Sequence, residues 1–193
     1  AGEWLNRFHR LPSPYAATDA RALLDTYYDD RLVTLAGMPD SGIRAEEARE
    51  LKQGLMGKTG RALAREPTVR CHNDYSPHNV LVDGTALCVL DYSFAGPGLR
   101  AFDVACFWHK LEDMRESLIV DARRVDALQA AFVEALDPPC DLTGDAFRLG
   151  SARLVLSKMV TLLRLPATRA ARRRIAGWHR WLRSGLDPAH WPR

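Results

Sequence analysis

Over most of this chain, apolar residues return every three or four positions, the spacing that lines one face of an α-helix. Trp4, Leu5, Phe8 and Leu11 set that rhythm from Gly2 to Leu11 and predict an opening helix with these side chains on a core. Trp4 and His9 need no functional role there. Leu23, Leu24, Tyr27, Tyr28 and Leu32 predict a second helix from Thr18 to about Ala36, with Asp19 in its favourable first turn and Gly37, Pro39 and Gly42 beyond its end. The stretch from Ile43 to Ala64 is charged and carries Gly54, Gly57 and Gly60, so it reads as one helix or as two pieces. Further helices are expected from Phe102 to about Leu111 and from Leu118 to Leu136, the latter stopped by Pro138-Pro139. From Ala146 to Leu165, Phe147, Leu149, Leu154, Leu156, Val160 and Leu163 suit a core helix that Thr143 can cap, and Thr168 to Leu182 suits a last one.

Between these helices the period changes. Thr68-Val-Arg-Cys71 reads as a strand, and Val80–Val82 and Ala86–Leu90 are short apolar runs joined by Asp83-Gly84, a strong hairpin signal. A two-residue Asp-Gly loop would set Val82 opposite Thr85 and Asn79 opposite Cys88. The predicted fold class is mainly α with a small β-hairpin, an α+β arrangement in one domain over residues 1–193. That length suffices for one well-buried core.

The hairpin is where candidate chemistry gathers. Asp74 lies in the loop before it, with Pro77 preventing a helix; Asn79 leads into its first strand, and Asp91 leaves its second. A carboxylate, an Asn five residues on and a second carboxylate at a strand end form the set that Mg²⁺-assisted phosphoryl transfer to a hydroxyl requires. Asn79 and Asp91, both at the open end of the hairpin, offer oxygen ligands to one small hard cation, and Mg²⁺ is the expected ion. Asp74 would orient an acceptor hydroxyl and take its proton.

His72-Asn-Asp-Tyr-Ser-Pro-His-Asn79, followed by Leu90-Asp-Tyr-Ser-Phe-Ala-Gly-Pro-Gly-Leu-Arg-Ala-Phe-Asp103, resembles the C-terminal lobe of the aminoglycoside phosphotransferase and choline kinase family, which has a protein-kinase-like fold. The resemblance implies a catalytic loop over 72–79 with Asp74 catalytic and Asn79 on the metal. It also implies a metal-binding segment over 91–103 opened by Asp91. His72 and Asp103 fall on positions that brace the loop. Asn73 departs from the family's usual Gly and bears on the local loop conformation. Gly2 to Leu11 resembles the first helix of that lobe.

A complete enzyme of this type has an N-terminal β-rich lobe with a nucleotide-covering loop, a strand Lys and a helix Glu. None can be placed in this chain, which begins at Ala1 rather than Met. The expectation is a C-lobe without its partner lobe, as a fragment, a split-gene product or an engineered piece. The partner lobe would then be supplied in cis or in trans with most contacts to the co-substrate ATP, and the chain alone should bind ATP poorly.

Composition narrows the alternatives. At 47% apolar and 26% charged residues the chain is an ordinary globular protein, not a disordered one. It has no apolar run of membrane-spanning length and no signal-peptide pattern, so the cytoplasm is expected and a membrane partner is not. Cys71, Cys88, Cys106 and Cys140 have no Cys-x-x-Cys spacing and are expected to be reduced, mostly buried thiols. Gly57-Lys58-Thr59 fails as a phosphate loop, because Lys52 stands where the motif needs Gly and no strand precedes it. Gly96-Pro97-Gly98 fails as a dinucleotide turn, with Ala101 in the third glycine's place. From Asp141 onward eleven Lys and Arg stand against three Asp, a net of +8, whereas the first 140 residues carry a net of −5. Arg169, Arg172, Arg173 and Arg174 are read as a solvated helix face and Trp178 and Trp181 as core anchors, so no nucleic-acid partner is expected. The resemblance implies that the acceptor pocket draws on the C-terminal helices, and a basic set there would disfavour a polycationic aminoglycoside and favour a neutral or anionic hydroxyl compound. Two other readings remain: a His/Asp metal-dependent hydrolase built on His72, Asp74, His78 and Asp91, and an orphan lobe serving as a non-catalytic binding or regulatory module.

Overall fold

The structure is a computed structural model that describes residues 1–116, 120–166 and 168–191. Its described part contains seven α-helices and two two-stranded antiparallel sheets. The helices are α1 (Gly2–His9), α2 (Ala17–Ala36), α3 (Ala45–Leu63), α4 (Arg100–Asp113), α5 (Ala122–Glu134), α6 (Asp145–Leu163) and α7 (Arg169–Arg183). The strands are β1 (Val69–Cys71), β2 (Val80–Asp83), β3 (Ala86–Val89) and β4 (Gly96–Gly98). This is the mainly helical α+β architecture read from the sequence. No described helix is long and apolar enough to cross a membrane.

The core forms around α6, which packs against α2, α3, α4 and α7. Ala146, Phe147, Leu149, Ala152, Val155, Leu156, Met159 and Val160 are all buried on it, so apolar contact surrounds the helix instead of forming one stripe. Leu24, Tyr28, Leu32 and Leu35 of α2 and Trp178 and Trp181 of α7 join the same cluster. Burial pushes the Tyr28 hydroxyl up to about 12. Of the four arginines read as a solvated face of α7, Arg169, Arg172 and Arg173 are exposed, whereas Arg174 departs from that reading and is half-buried over Trp178.

Several details differ from the sequence pattern. Leu11 is 47% exposed rather than on the core, because α1 ends at His9 and the chain has turned away two residues later. The glycines of α3 do not split it, since packing against α2 and α6 outweighs their weak helix propensity. Gly144, not Thr143, caps α6; Thr143 instead donates its amide and hydroxyl to Asp141 Oδ1 at 2.8 and 2.7 Å. The helix expected from Leu118 is described from Ala122, and its first positions, Leu118 and Ile119, lie outside the described residues. The cysteines are free, with Cys71 and Cys106 buried, Cys140 half-buried and Cys88 exposed.

The hairpin forms with a shifted turn. Val82 pairs with Leu87 and Asp83 with Ala86, so the loop is Gly84-Thr85 rather than Asp83-Gly84. Gly84 takes φ +57 at the first central position, as a type II′ turn requires, and Asn79 is brought opposite Leu90 instead of Cys88. The partner shift is two residues, so every side chain keeps its expected face. β1 and β4 make a second sheet that the sequence pattern did not show, with Arg70 opposite Pro97. Gly98 suits this pairing because a Cβ there would come within 2.8 Å of Cys71 Sγ.

Candidate active site

Asp103 anchors the site from beneath. It stands in the first turn of α4, where the helix end favours a carboxylate, and it is fully buried. Its Oδ2 accepts from the His72 amide at 2.8 Å and its Oδ1 from the Asn73 amide at 2.7 Å. His9 Nε2 lies 2.9 Å from Oδ2. A carboxylate accepts, so His9 carries that proton on Nε2. These bonds hold the loop backbone just before Asp74 against two helices.

Within the loop, Asn73 has φ +63, a left-handed conformation that Asn reaches more readily than other non-glycine residues. The departure from Gly is therefore accommodated, and the side chain contributes further bonds. Asn73 Nδ2 donates to the Phe94 carbonyl at 3.1 Å, and its Oδ1 accepts from Arg153 at 2.8 Å. Tyr75 and Ser76 are buried on the far side of Asp74, and Pro77 opens a 3₁₀ turn over Pro77–Asn79. Asp74 is thus a half-exposed carboxylate between two pinned neighbours.

That turn delivers Asn79 onto Asp74. Asn79 Nδ2 donates to the Asp74 carbonyl at 2.9 Å and to Asp74 Oδ2 at 3.1 Å, leaving Asp74 Oδ1 and Asn79 Oδ1 without a partner among the described residues. The Asn79 carbonyl accepts from the Leu90 amide at 2.8 Å, which ties the loop to the end of the hairpin. His72 is fully buried and donates Nε2–H to the Leu90 carbonyl at 3.0 Å. Leu90 is therefore held on both sides, and the next residue is Asp91.

Asp91 is exposed and has φ +57, the second Asx residue of the site in the left-handed region. Its Oδ1 accepts from the Ser93 hydroxyl at 2.6 Å and the Ser93 amide at 3.3 Å. These bonds, the hydroxyl's first, hold its carboxyl below the usual aspartate range. Oδ2 remains unpartnered among the described residues. By donor chemistry alone, the Asn79 amide oxygen and the Asp91 carboxylate could serve a small hard divalent cation, which takes few protein ligands and completes its shell with water and phosphate oxygens.

The hydrolase set does not come together. His78 is exposed on the 3₁₀ turn while His72 is buried beneath the loop. Among the described residues, only His9, Cys71 and Asp103 form a trio of metal-ligating type with ligand atoms within 4.8 Å of one another. Its donors are engaged, since Asp103 takes the loop amides and Cys71 lies 3.2 Å from the Leu99 carbonyl. The sequence pattern missed His9, Arg153 and Ser93. Ser93 sits two residues after an Asp, a local turn signal that could have been used; the other two act across the fold.

Asp74 also lines a cavity of about 560 Å³ between α2, α4, α6 and α7, whose walls include Tyr27, Phe102, Trp178 and Arg153. Cys106 borders it too, but burial pushes that thiol up to about 12, leaving it protonated at neutral pH.

No curated protein sequence matches the chain. Among solved structures it is similar to a choline/ethanolamine kinase family protein from Mesorhizobium loti, with a TM-score of 0.57 and 15% identity over 98% of this chain and 62% of that one. It is also similar to a glucosamine kinase, with a TM-score of 0.45 and 21% identity over 98% of this chain and 48% of that one. The chain thus spans less than two thirds of the length of either. The first likeness gives the fold: the helical lobe of a kinase-like protein. The model of the phosphotransferase enzyme family matches residues 1–142, well over half of the sequence, and the chain belongs to that family.

Proposed function

We propose that this chain carries the catalytic lobe of an ATP-dependent kinase that phosphorylates a hydroxyl of a small molecule. The observation that carries the reading is the pair of hydrogen bonds from Asn79 Nδ2 to Asp74, which orients one Asp74 oxygen and leaves the other free beside the cavity. Asp74 Oδ1 accepts the acceptor's hydroxyl proton and aims the oxygen at the phosphoryl group. Asn79 Oδ1 and Asp91 hold Mg²⁺, which when bound offsets charge on the transferring phosphoryl group. His72, Asp103 and His9 keep the loop in place and do not touch the reacting atoms.

On this reading the nucleotide lies between this chain and a β-rich lobe supplied in cis or in trans. Exposed Leu81, Val82, Leu90 and Phe94 around the hairpin support it, since apolar side chains beside the metal ligands suit a covering partner. The test uses the full-length protein and follows ADP release. Asp74→Ala is expected to lower turnover by about 10²-fold or more while nucleotide binding persists; equal turnover in the variant refutes the assignment.

A further inference from the structure

The cavity beside Asp74 has a charge pattern that phosphoryl transfer alone does not require. Arg31, Lys110, Arg153, Lys158 and Arg174 line it against two carboxylates, Asp74 and Asp113. Part of that charge is balanced within the protein: Lys158 Nζ lies 2.6 Å from both oxygens of Asp113, and Arg31 lies 3.3 Å from Asp30. Lys110 and Arg153 are different. No carboxylate of a described residue lies within 4.0 Å of either.

Arg153 is also firmly placed. Its guanidinium carbon lies 5.1 Å from the Tyr27 ring centroid and 4.9 Å from that of Phe102, and Nη1 donates to Asn73 Oδ1 at 2.8 Å. Its Nε is buried and has no partner among the described residues. A half-buried guanidinium that among the described residues meets rings and an amide but no ion-pair partner carries a desolvation cost that an arriving anion relieves. The flat fork of Arg matches two-oxygen anions, while Lys110 adds a point charge to the same cavity from α4. The aromatic walls offer a place for a carbon skeleton between that anion and Asp74.

We propose that the acceptor is an alcohol that carries an oxyanion, a carboxylate or a phosphate monoester, bound by Arg153 and Lys110 with its hydroxyl at Asp74. The identification of the ligand as acceptor rests on the kinase reading above; the charge preference of the cavity does not. A cationic ligand meets like charge on this wall and is rejected.

Calorimetric titration of the chain without nucleotide tests the preference, with glucose 6-phosphate, gluconate, glucose and glucosamine as probes that share one skeleton and differ in charge. At least one anion should bind about tenfold or more tightly than glucose, with glucosamine weakest, and added salt should narrow the gap. Tighter gluconate identifies a carboxylate ligand, and tighter glucose 6-phosphate a phosphate. Lys110→Gln, and Arg153→Lys, which keeps the charge and loses the fork, should each shrink the ratio of anion to glucose affinity. No anion bound more tightly than glucose, including no binding at all, overturns the proposal, as does a ratio unchanged in both variants. The full-length protein separates the two readings. Asp74-dependent transfer to glucose or glucosamine alone would sink the charge inference and leave the kinase. An intact anion preference without Asp74-dependent transfer would sink the kinase and leave the anion site.

Discussion

Behind the loop that carries Asp74 a carboxylate has both oxygens engaged, whereas in front of it each candidate side chain keeps one oxygen free among the described residues. Asp103 is sealed from solvent with both oxygens occupied by backbone amides, and His9 closes the arrangement. Asp74, Asn79 and Asp91 each keep one side-chain oxygen without a partner among the described residues and stand half or fully exposed. The same residue types therefore serve opposite ends according to burial: a carboxylate that is satisfied and dry fixes geometry, and one that is unsatisfied and wet is available to ligands. Stability should accordingly reside in the back of the loop and activity in the front.

Exchanging the two carboxylates' roles by mutation gives the largest expected effect. Asp103→Ala leaves two buried amides and a histidine N–H without an acceptor and should cost about 3–5 kcal/mol of folding stability, the range for breaking a buried charged network. Asp91→Asn keeps an Asx residue at φ +57 and an acceptor for Ser93, so it should leave the midpoint of thermal unfolding in place while weakening Mg²⁺-dependent turnover. Denaturant unfolding of both variants, alongside ADP release from the full-length protein, checks the contrast. Equal losses of stability from the two substitutions would erase it.

A smaller effect is expected at Asn73, which joins the two regions. Its backbone bonds to Asp103 behind, its side chain reaches Phe94 and Arg153 in front, and its φ is +63. Asn73→Ala puts a Cβ with no local hydrogen bond into the left-handed region, at a cost of about 1–2 kcal/mol. Asn73→Gly relieves the backbone cost but still loses the Arg153 bond. Stability should therefore recover from Ala to Gly while acceptor affinity stays low in both. Recovery of both together would mean that the side chain contributes nothing to the cavity.

These residues also mark how far the sequence could be read. Asp74, Asn79 and Asp91 lie within eighteen positions of one another, and their grouping follows from a loop, a turn and a hairpin, all of which have local signals. The helices were legible for the same reason, since periodicity reports burial. His9 meets Asp103 across 94 residues, and Arg153 meets Asn73 across 80. No local pattern distinguishes that histidine from an ordinary helical one. The hairpin register lay at the boundary: Asp83-Gly84 predicts a turn, but whether Gly84 takes the first or second central place depends on how β2 and β3 pair. The unbroken α3 depended on packing that its glycines do not reveal.

The smallest expected effect probes the free front alone. Asp91 is held ionised below the ordinary aspartate range chiefly by the Ser93 hydroxyl, with the Ser93 amide second. A carboxyl whose folded pKa is depressed contributes stability that is complete above the unfolded value, about 3.9, and is lost as pH falls through the folded value. Ser93→Ala removes the hydroxyl and keeps the amide, so the Asp91 carboxyl carbon should titrate by NMR at higher pH than in the native protein, moving toward the ordinary value. The direction matters for function because a cation site needs the carboxylate ionised. The Asp91 carboxylate is ionised throughout the neutral range with or without Ser93, so turnover near neutral pH should not distinguish Ser93→Ala from the native protein, and a difference should open only as pH falls toward the ordinary aspartate value, about 3.9. An Asp91 titration unmoved by the substitution would show that the backbone amide and solvent suffice, and that the hydroxyl only fills the turn.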